Sequence, residues 1–244
     1  MSFKRYDSRV QAGKILVEFI NNETKEVFNY ITNNPHQCFC FAIPNGGVPV
    51  AEGFCSELGL NYDLLIVRKI KIPYNLEAGF GSMTPDGTVL LNDELLSYLN
   101  LSQEDINRST EITRKEIENR LAFYNKQYTT KEDYRKRISQ KMIFLLDDGL
   151  ASGFTMLAAI KMVKQYEPKQ IFLAVPTAPL KTTQRLGKEV DKIYCPNVRN
   201  ARHFAVAEAY KNWYDLSESE ILKILNTSEY YNNKPFNYGK DNVK

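Results

Sequence analysis

Hydrophobic residues along the chain form short continuous runs that alternate with segments of helical periodicity. The runs, which predict buried strands, cover residues 38–43, 63–67, 142–146, 171–175 and 192–195. The helical patterns cover residues 8–33, 48–60, 102–126, 155–166, 180–188 and 217–225. Strands that are apolar on both faces and alternate with helices are typical of a parallel sheet covered on both sides. The pattern therefore predicts an α/β fold with a central, mainly parallel sheet.

Residues 72–140 interrupt this alternation, and we interpret them as an insertion. Their first part is rich in proline and glycine, and residues 88–91 form a short predicted strand. A capping box of Ser102 and Asp105 then starts a long charged helix, which is followed by a polar stretch to residue 140. The predicted organisation is one domain over residues 1–225, which contains this insertion, and a polar tail over residues 226–244.

Three segments follow the carboxyl ends of the predicted parallel strands. They are the turn at residues 44–49, the basic pair Arg68-Lys69 and the loop at residues 147–155. Ligands of parallel α/β sheets bind at this edge of the sheet, so we expect the three segments to meet there and to form the binding site.

Composition narrows the chemistry that this edge can perform. The 244 residues are 43% apolar and 25% charged, and a net charge of +3 gives no case for a nucleic-acid or membrane surface. The two histidines, His36 and His203, argue against a histidine-rich metal site and leave little histidine for acid–base chemistry. Carboxylates, backbone amides, hydroxyls, lysine and arginine remain.

The cysteines and the N-terminus point to a reducing compartment. Cys38, Cys40, Cys55 and Cys195 form no C-x-x-C pair, and we interpret them as buried, reduced thiols. The first ten residues contain no apolar signal segment, and no apolar run approaches transmembrane length. We therefore expect a cytoplasmic protein without membrane contact.

The most informative stretch covers residues 143–155, with the sequence IFLLDDGLASGFT. Four apolar residues lead into Asp147 and Asp148, whose carboxylates repel each other unless ribose hydroxyls, a cation or amides compensate them. The small residues that follow open directly into a predicted helix, where backbone amides and the helix dipole favour a phosphate group. Acids that bind a diol beside a phosphate-binding loop describe a site for a ribose 5-phosphate.

Other interpretations fit this stretch less well. An isolated Asp-Asp-Gly is usually a surface turn, with Ser152 as a helix cap, but the apolar run before it and the helix after it favour a binding loop. The chain has no Walker A Gly-Lys-Ser/Thr triplet and no Rossmann G-x-G-x-x-G. Ser152 also lies one position late for the G-x-S-x-G of a nucleophile elbow.

Residues 143–155 resemble the phosphoribosyl-diphosphate (PRPP) motif of type I phosphoribosyltransferases. Further motifs resemble one subgroup of that family, described as predicted phosphoribosyltransferases: Phe3-x-x-x-Asp7-x-Arg9-x-x-Ala12-Gly13, AIPNGGVP at residues 42–49, VRK at 67–69 and DGLASG at 148–153. The similarity covers residues 3–225. It implies the α/β fold of that family, with a hood or flexible loop in the insertion that closes over PRPP.

The resemblance implies a role for each motif. Asp147 and Asp148 would be the catalytic acids, which bind the ribose 2- and 3-hydroxyls directly or through Mg²⁺, the implied cofactor. The 5-phosphate would lie on the loop of Ala151, Ser152, Gly153, Phe154 and Thr155. The pyrophosphate would be bound by Asn45, Gly46, Gly47, Arg68 and Lys69. For the two basic residues, a solvated strand end is the alternative.

Two positions depart from the family pattern. Asn45 stands where the subgroup usually has arginine, which removes a positive charge from the pyrophosphate loop unless another residue substitutes for it. Ala151 stands where some purine-specific members have an aspartate that contacts the base, although other members also have alanine there. The long helix contains basic residues that either reach pyrophosphate or form an exposed charged face: Arg108, Arg114, Lys115 and Arg120.

The sequence contains less information about base recognition. The acceptor would lie between the end of strand 171–175 and the C-terminal segment, so we name Val175, Thr177 and Phe204 as base-binding candidates. Tyr210 and Trp213 could stack on a flat ring, and His203 is a weak candidate for a general base, but aromatic residues beside apolar ones are more often core. The identity of the base stays open.

The implied reaction is the displacement of pyrophosphate from PRPP by a nitrogen nucleophile, with a nucleobase as the expected acceptor. Catalysis would depend on positioning and electrostatic stabilisation. Two other classes stay open: a non-catalytic protein that senses PRPP or a nucleotide, and a phosphohydrolase with Asp147 as nucleophile, which would lack the usual D-x-D. PRPP and an unidentified base are the expected partners, a homodimer is left open, and nucleic acid and membranes are not expected.

Overall fold

The computed structural model describes residues 3–126, 130–201 and 203–232. No helix within these ranges combines the length and the apolar character needed to cross a bilayer. The strands are β1 (Cys38–Ala42), β2 (Tyr62–Leu64), β3 (Arg68–Ile72), β4 (Asn75–Met83), β5 (Val89–Leu91), β6 (Met142–Leu146), β7 (Gln170–Ala174), β8 (Thr177–Pro179), β9 (Lys192–Tyr194) and β10 (Asn197–Arg199). The α-helices are α1 (Arg9–Glu23), α2 (Lys25–Asn33), α3 (Gly47–Leu58), α4 (Asp93–Leu99), α5 (Gln103–Phe123), α6 (Lys131–Ile138), α7 (Phe154–Lys164), α8 (Leu180–Leu186) and α9 (Glu218–Thr227).

The predicted parallel sheet is confirmed, and its strands lie in the order β2-β1-β6-β7-β9. All neighbouring strands in this sheet are parallel, and β1 pairs with β6 along its whole length, from Cys38 opposite Met142 to Ala42 opposite Leu146. Because β1 and β6 are neighbours, the turn after β1 and the loop after β6 emerge side by side at the carboxyl edge of the sheet.

Helices cover both faces of this sheet, as predicted, because side chains along each central strand alternate between two apolar clusters. Cys38, Cys40 and Ala42 of β1 pack with α1 and α3 on one face. Phe39 and Phe41 join the apolar residues of α7 on the other face. Every residue of β1 and β6 is therefore buried, which explains why both strands are continuous apolar runs.

An antiparallel sheet and a group of helices lie between residues 68 and 138, a segment called the insert below. Its strands pair in the order β3-β4-β5, and α4, α5 and α6 follow them. The strand predicted over residues 63–67 ends earlier, at Leu64, and Arg68-Lys69 begin β3 of the insert rather than ending a strand of the parallel sheet. This correction places the basic pair on a different sheet from the acidic loop.

Four elements of the insert are missing from the sequence-based prediction, namely β3, β4, α4 and α6. β4 occupies the proline- and glycine-rich stretch, where close packing of the strands excludes larger side chains: a Cβ atom on Gly81 would lie 2.9 Å from the Leu90 carbonyl oxygen. Helix α6 occupies the stretch predicted as polar up to residue 140, and a capping box of Thr130 and Asp133 begins it. The capping box predicted at Ser102 is confirmed at the start of α5.

The C-terminal part of the chain runs along the edges of the central sheet. β8 and β10 form a separate two-stranded parallel sheet. At the β2 edge of the central sheet, the amide of Tyr62 donates to the carbonyl oxygen of Tyr230, and the amide of Asn232 donates to that of Tyr62, both at 2.9 Å. Residues 230–232 of the predicted polar tail therefore lie alongside β2, and residues 233–244 lie outside the described residues.

The cysteines are free and buried, as the sequence predicts. Burial raises the pKa of both Cys38 and Cys195 to about 12. A thiol with so high a pKa contains very little thiolate at neutral pH, so these side chains act as small apolar groups of the core.

Candidate active site

Asp147 and Asp148 directly follow β6, at the centre of the carboxyl edge of the sheet. The amide of Asp148 donates a hydrogen bond to Asp147 Oδ1 at 2.8 Å. Burial, together with the negative charge of Asp148, raises the pKa of Asp147 well above its usual range. Burial also raises the pKa of Asp148, although the neighbouring Arg9 opposes that shift. Two adjacent, partly buried carboxylates that share one arginine are a site for a cation or for hydroxyl donors.

Arg9 of α1 contacts this acidic pair, and the sequence interpretation gives it no role. Its Nε donates to Asp148 Oδ2 at 2.7 Å, and its Nη2 donates to the carbonyl oxygen of Tyr214 at 3.1 Å. The guanidinium lies over the Trp213 ring, 4.1 Å from the ring centroid. Arg9 belongs to the N-terminal motif of the family resemblance, so a signal existed, but its partner lies too far along the chain to be recognised.

The turn after β1 packs directly against the acidic pair. A Cβ atom on Gly46 would lie 1.9 Å from Asp148 Oδ2, and one on Gly47 would lie 2.6 Å from the Leu146 carbonyl oxygen. Glycine is required at both positions because any side chain would push the two segments apart. The peptide bond between Pro44 and Asn45 is cis. The predicted pyrophosphate turn and the predicted ribose acids therefore form one continuous surface.

Asn45 is fixed by contacts on both sides of its amide group. Its Nδ2 donates to the carbonyl oxygen of Leu216 at 2.6 Å, and its Oδ1 accepts a hydrogen bond from Arg120 of α5. Arg120 Nε also lies 2.9 Å from the Glu218 carboxylate. A positive charge thus lies beside the turn even though residue 45 itself has none.

The other basic candidates of α5 lie on its exposed side. Arg108 pairs with Asp105 at 2.6 Å, and Arg114 pairs with Glu111 at 3.2 Å, both within the same helix. Lys115 is exposed. For these three residues the structure fits an exposed charged helix face, and Arg120 is the candidate that reaches the predicted pyrophosphate turn.

The loop over residues 151–155 has the geometry of an anion site. Helix α7 begins directly after Gly153, whose φ of +69° lies in the left-handed region that favours glycine. Helix α8 holds the loop from outside: Thr182 donates to the Ala151 carbonyl oxygen at 2.7 Å, and Arg185 donates to that of Ser152. Within the described part of the chain, no backbone hydrogen bond is donated by the amides of residues 151–153. These amides and the helix start can bind a phosphate.

A cavity of about 460 Å³ lies between the parallel sheet and the insert. Asp147 and Thr155 line it from the sheet side, and Arg68 and Lys69 line it from β3. A second cavity, of about 300 Å³, shares Lys69 and Thr155 with the first and is also lined by Ser152 and residues of β4. The structure thus brings together residues of the acidic, phosphate and basic motifs, which are far apart in the sequence.

Glu116 of α5 balances part of the positive charge on β3. Its carboxylate lies 3.4 Å from Arg68 Nη2 and 3.1 Å from Lys71 Nζ. An anion that enters the cavity would compete with Glu116 for Arg68. Neither Glu116 nor Lys71 is recognisable from the sequence, because their role depends on the packing of α5 against β3.

None of the three base-binding candidates lines either of these two cavities. Val175 and Thr177 are fully buried. The Thr177 hydroxyl accepts from Asn197 Nδ2 at 2.9 Å and donates to the Asn197 carbonyl oxygen at 3.2 Å. Neither side chain has exposed surface that a base could contact, because the chain continues directly from β7 into β8 and both residues stay buried. Phe204 is half-buried, with its ring centroid 5.9 Å from the Arg199 guanidinium.

The donor set at the acidic pair fits magnesium better than a metal enclosed by protein ligands. Among the described residues there is no group of three or more His, Cys, Asp or Glu side chains that could hold a metal ion. Mg²⁺ usually takes one or two carboxylates and completes its shell with water and substrate phosphates. The adjacent carboxylates of Asp147 and Asp148, which share the counter-charge of Arg9, fit that mode.

Comparison with known proteins agrees with this geometry. The phosphoribosyl transferase domain family matches residues 9–213. A Mycobacterium tuberculosis H37Rv protein with the provisional name phosphoribosyl transferase is 28% identical over 183 residues, which make up 75% of this chain and 40% of that protein. The chain therefore spans well under half the length of this relative. A uracil phosphoribosyltransferase of Ureaplasma parvum is 33% identical over 79 residues, 29% of this chain and 38% of that enzyme.

A solved structure shares the fold. It belongs to a protein from Thermus thermophilus, with a TM-score of 0.69 and 24% identity. The match covers 91% of this chain and 98% of the other chain. The two chains therefore share their fold over nearly their full length.

Proposed function

The chain belongs to the phosphoribosyl transferase domain family, and from this membership we propose that it transfers a phosphoribosyl group from PRPP to a nitrogen acceptor. Pyrophosphate is the leaving group, a nucleobase is the proposed acceptor and Mg²⁺ is the proposed cofactor. The observation that supports this proposal most directly is the cavity in which Asp147, Thr155, Arg68 and Lys69 meet. An acid, a phosphate-binding loop and two cations are the groups that PRPP requires.

The ribose 5-phosphate part of PRPP would be held at two points. The acidic pair after β6 accepts hydrogen bonds from the ribose hydroxyls, and the amides of residues 151–153 with the Thr155 hydroxyl donate to the 5-phosphate. Two-point binding fixes the anomeric carbon relative to the turn at residues 45–47. Holding the reacting centre in one orientation removes much of the entropic barrier to displacement.

The pyrophosphate end would be stabilised by positive charge from the insert. Arg68 and Lys69 line the cavity from β3, and Arg120 lies beside the turn that contains Asn45. As the bond from the anomeric carbon to pyrophosphate breaks, negative charge grows on the leaving group, and fixed cations stabilise that charge. When bound, Mg²⁺ supplies further neutralisation of pyrophosphate, and Asp147 and Asp148 are the residues that would hold it.

The acceptor nitrogen supplies the electron pair, so this chain needs no nucleophilic side chain. That requirement agrees with a site built from carboxylates, amides and cations. β4 of the insert lies over the second cavity, where it would limit the access of water that could hydrolyse PRPP. The uracil-specific relative is similar over 29% of this chain. It supports a nucleobase as the class of acceptor and leaves the individual base open.

The decisive experiment measures pyrophosphate release from PRPP and Mg²⁺ with each of a panel of nucleobases. We expect release with at least one base, and loss of that release in the Asp147→Asn variant, since one of the two acids is then neutral. PRPP binding without release with any base would instead identify the alternative class, a PRPP-sensing protein. A protein that binds no PRPP by calorimetry would contradict both.

A further inference from the structure

The two neighbouring acids of the site have different surroundings, and we propose that they have different roles. Asp147 faces the cavity directly, whereas Asp148 is held in place by Arg9, which thereby acts as a positioning residue for both acids. Trp213 in turn holds the guanidinium of Arg9. This inference rests on the proposed function and deepens it, because it assigns separate tasks to two residues that the family resemblance treats alike.

The two side chains differ in how they lie relative to the cavity. Asp147 lines the cavity of about 460 Å³ together with Thr155 and the basic residues of β3. Asp148 is not among the residues that line it, and its side chain is 13% exposed. A ligand in this cavity therefore meets the carboxylate of Asp147 first.

The atoms of Asp148 are engaged within the protein. Oδ2 accepts the hydrogen bond from Arg9 Nε at 2.7 Å, and the carboxylate packs against the Cα atom of Gly46. Its backbone carbonyl oxygen accepts a hydrogen bond from Tyr210 Oη at 2.7 Å. Asp148 thus connects β6, the turn after β1, helix α1 and the C-terminal segment. This structural role depends on the positions of its carboxylate and carbonyl oxygens.

Arg9 is held by stacking on the planar face of its guanidinium and by hydrogen bonds from the edge of that group. The guanidinium lies over the Trp213 ring, which also packs on Tyr210 with the ring centroids 5.5 Å apart. Nη2 donates to the Tyr214 carbonyl oxygen, and the Arg9 side chain is 8% exposed. Lysine cannot reproduce a stacked face and two directed donors at once, so this position requires arginine rather than positive charge alone.

Removal of Arg9 would leave the Asp148 carboxylate beside Asp147 with no partner. A carboxylate that has lost its counter-charge beside a second carboxylate moves away from it, and this movement displaces Gly46 and Asp147 from their present positions. Arg9 would thereby control the affinity for PRPP although it touches no part of the ligand. The same reasoning predicts that the effects of Arg9 and Asp148 on affinity are not additive, since both act through one contact.

The chain contains a single tryptophan, so Trp213 reports directly on the contact with Arg9. We expect the ligand-free Arg9→Met and Asp148→Asn variants to show a red-shifted emission and stronger acrylamide quenching, because the stacked guanidinium is lost or released. The Asp147→Asn variant should keep the emission of the original protein. This measurement needs no PRPP, so it decides the role of Arg9 separately from the proposed function.

Calorimetric titration with PRPP and Mg²⁺ tests the consequence for binding. We expect Arg9→Met and Asp148→Asn each to weaken binding about tenfold, and their combination to weaken it by little more than either alone. Asp147→Asn should weaken binding about 100-fold, as expected for a lost direct contact of a charged group. Arg9→Lys should recover thermal stability without recovering affinity, which a purely structural ion pair would not show.

Lys14→Met provides the matched control, because Lys14 is on the same helix and pairs with Glu57 at the surface, at 2.7 Å. It should change neither emission nor affinity. Equal and additive losses in Asp147→Asn and Asp148→Asn, with unchanged emission in Arg9→Met, would overturn the proposed division of roles. If the original protein binds no PRPP, the proposed function fails and the ligand role of Asp147 fails with it, while the emission spectra still decide whether Arg9 holds Asp148.

Discussion

Two acidic sites at described strands of the parallel sheet, one fully buried and one partly buried, differ in how their charge is balanced. Asp63 in β2 has no exposed surface and forms ion pairs with Lys126, at the end of the insert's long helix, and with Arg137 of α6. Asp147 and Asp148 after β6 share Arg9. Asp133 acts electrostatically on both cations of the first site, whose charges are therefore balanced within the protein, whereas the second site has more negative than positive charge.

The surroundings of the two sites explain this difference. The Asp63 cluster is closed: Lys126 and Arg137 are nearly unexposed, and Lys126 lies 5.5 Å from the ring centroid of Tyr231 at the sheet edge. It ties the insert and the C-terminal segment to the sheet. The acidic pair opens onto a cavity. In a closed cluster, other protein groups have to neutralise each charge. In a site that opens onto a cavity, a bound ligand can supply part of this neutralisation.

The largest expected effect concerns the closed cluster. Asp63→Asn leaves Lys126 and Arg137 buried without their counter-charge, and we expect it to lower the free energy of unfolding by about 3–5 kcal/mol. Urea unfolding at neutral pH measures this change. Glu57→Gln is the control, since it removes the exposed partner of Lys14 and should cost at most about 1 kcal/mol. Similar losses in the two variants would remove the distinction between a buried cluster and a surface pair.

The corresponding substitution in the acidic pair should weaken ligand binding without lowering the stability of the protein. Asp147→Asn is expected to weaken PRPP binding by about 2.7 kcal/mol, or about 100-fold, in a calorimetric titration with Mg²⁺. The free energy of unfolding without ligand should stay the same or rise, because a partly buried like charge is removed. A loss of stability as large as that of Asp63→Asn would show that the acidic pair serves the fold rather than a ligand.

A smaller effect is expected from the cation beside the predicted pyrophosphate turn. Arg120→Met removes the positive charge that contacts Asn45, and we expect about tenfold weaker PRPP binding, or about 1.4 kcal/mol. Arg108→Met changes the exposed side of the same helix and should leave the affinity unchanged. Both affinities come from the same titration, and equal losses would mean that net charge, not the position of Arg120, determines binding.

The smallest effect concerns how the insert is attached to the core. Burial opposes ionisation of Asp86, but hydrogen bonds from Thr84, Thr88 and Tyr166 outweigh burial and hold its pKa below the usual range. Because the folded pKa lies below the unfolded one, this carboxylate stabilises the fold fully at neutral pH, and its contribution is lost as the pH falls from about 4 through the folded pKa.

Thermal unfolding between pH 7 and pH 3 measures this contribution. We expect Asp86→Asn to lower the stability at pH 7 by about 1 kcal/mol or less, because the turn is partly exposed, and to show a shallower loss of stability towards low pH than the original protein. Glu57→Gln is a suitable control, since it removes only the surface pair with Lys14. Parallel pH profiles for the original protein and Asp86→Asn would contradict the assignment to Asp86.

Much of the parallel core is predictable from the sequence, whereas the insert is not. Strands buried on both faces are continuous apolar runs, so β1 and β6 stand out in the chain. β4 contains closely packed glycines and α6 has few apolar residues, so neither has a periodic pattern to recognise. The same contrast holds within the site, where the loop over residues 147–155 is one local motif but Val175 and Thr177 were assigned from their position after a strand.

Local sequence was sufficient to predict the α/β core and to mark the loop after β6 and the glycine turn after β1 as candidate site segments, because each depends on residues that are close together along the chain. Three other features emerge only in three dimensions: Arg9 pairs with Asp148, Arg120 reaches Asn45, and Val175 and Thr177 are buried. These features join residues from distant elements. They are set by how helices pack on the sheet and by which side chains lose contact with water, and a local pattern contains neither.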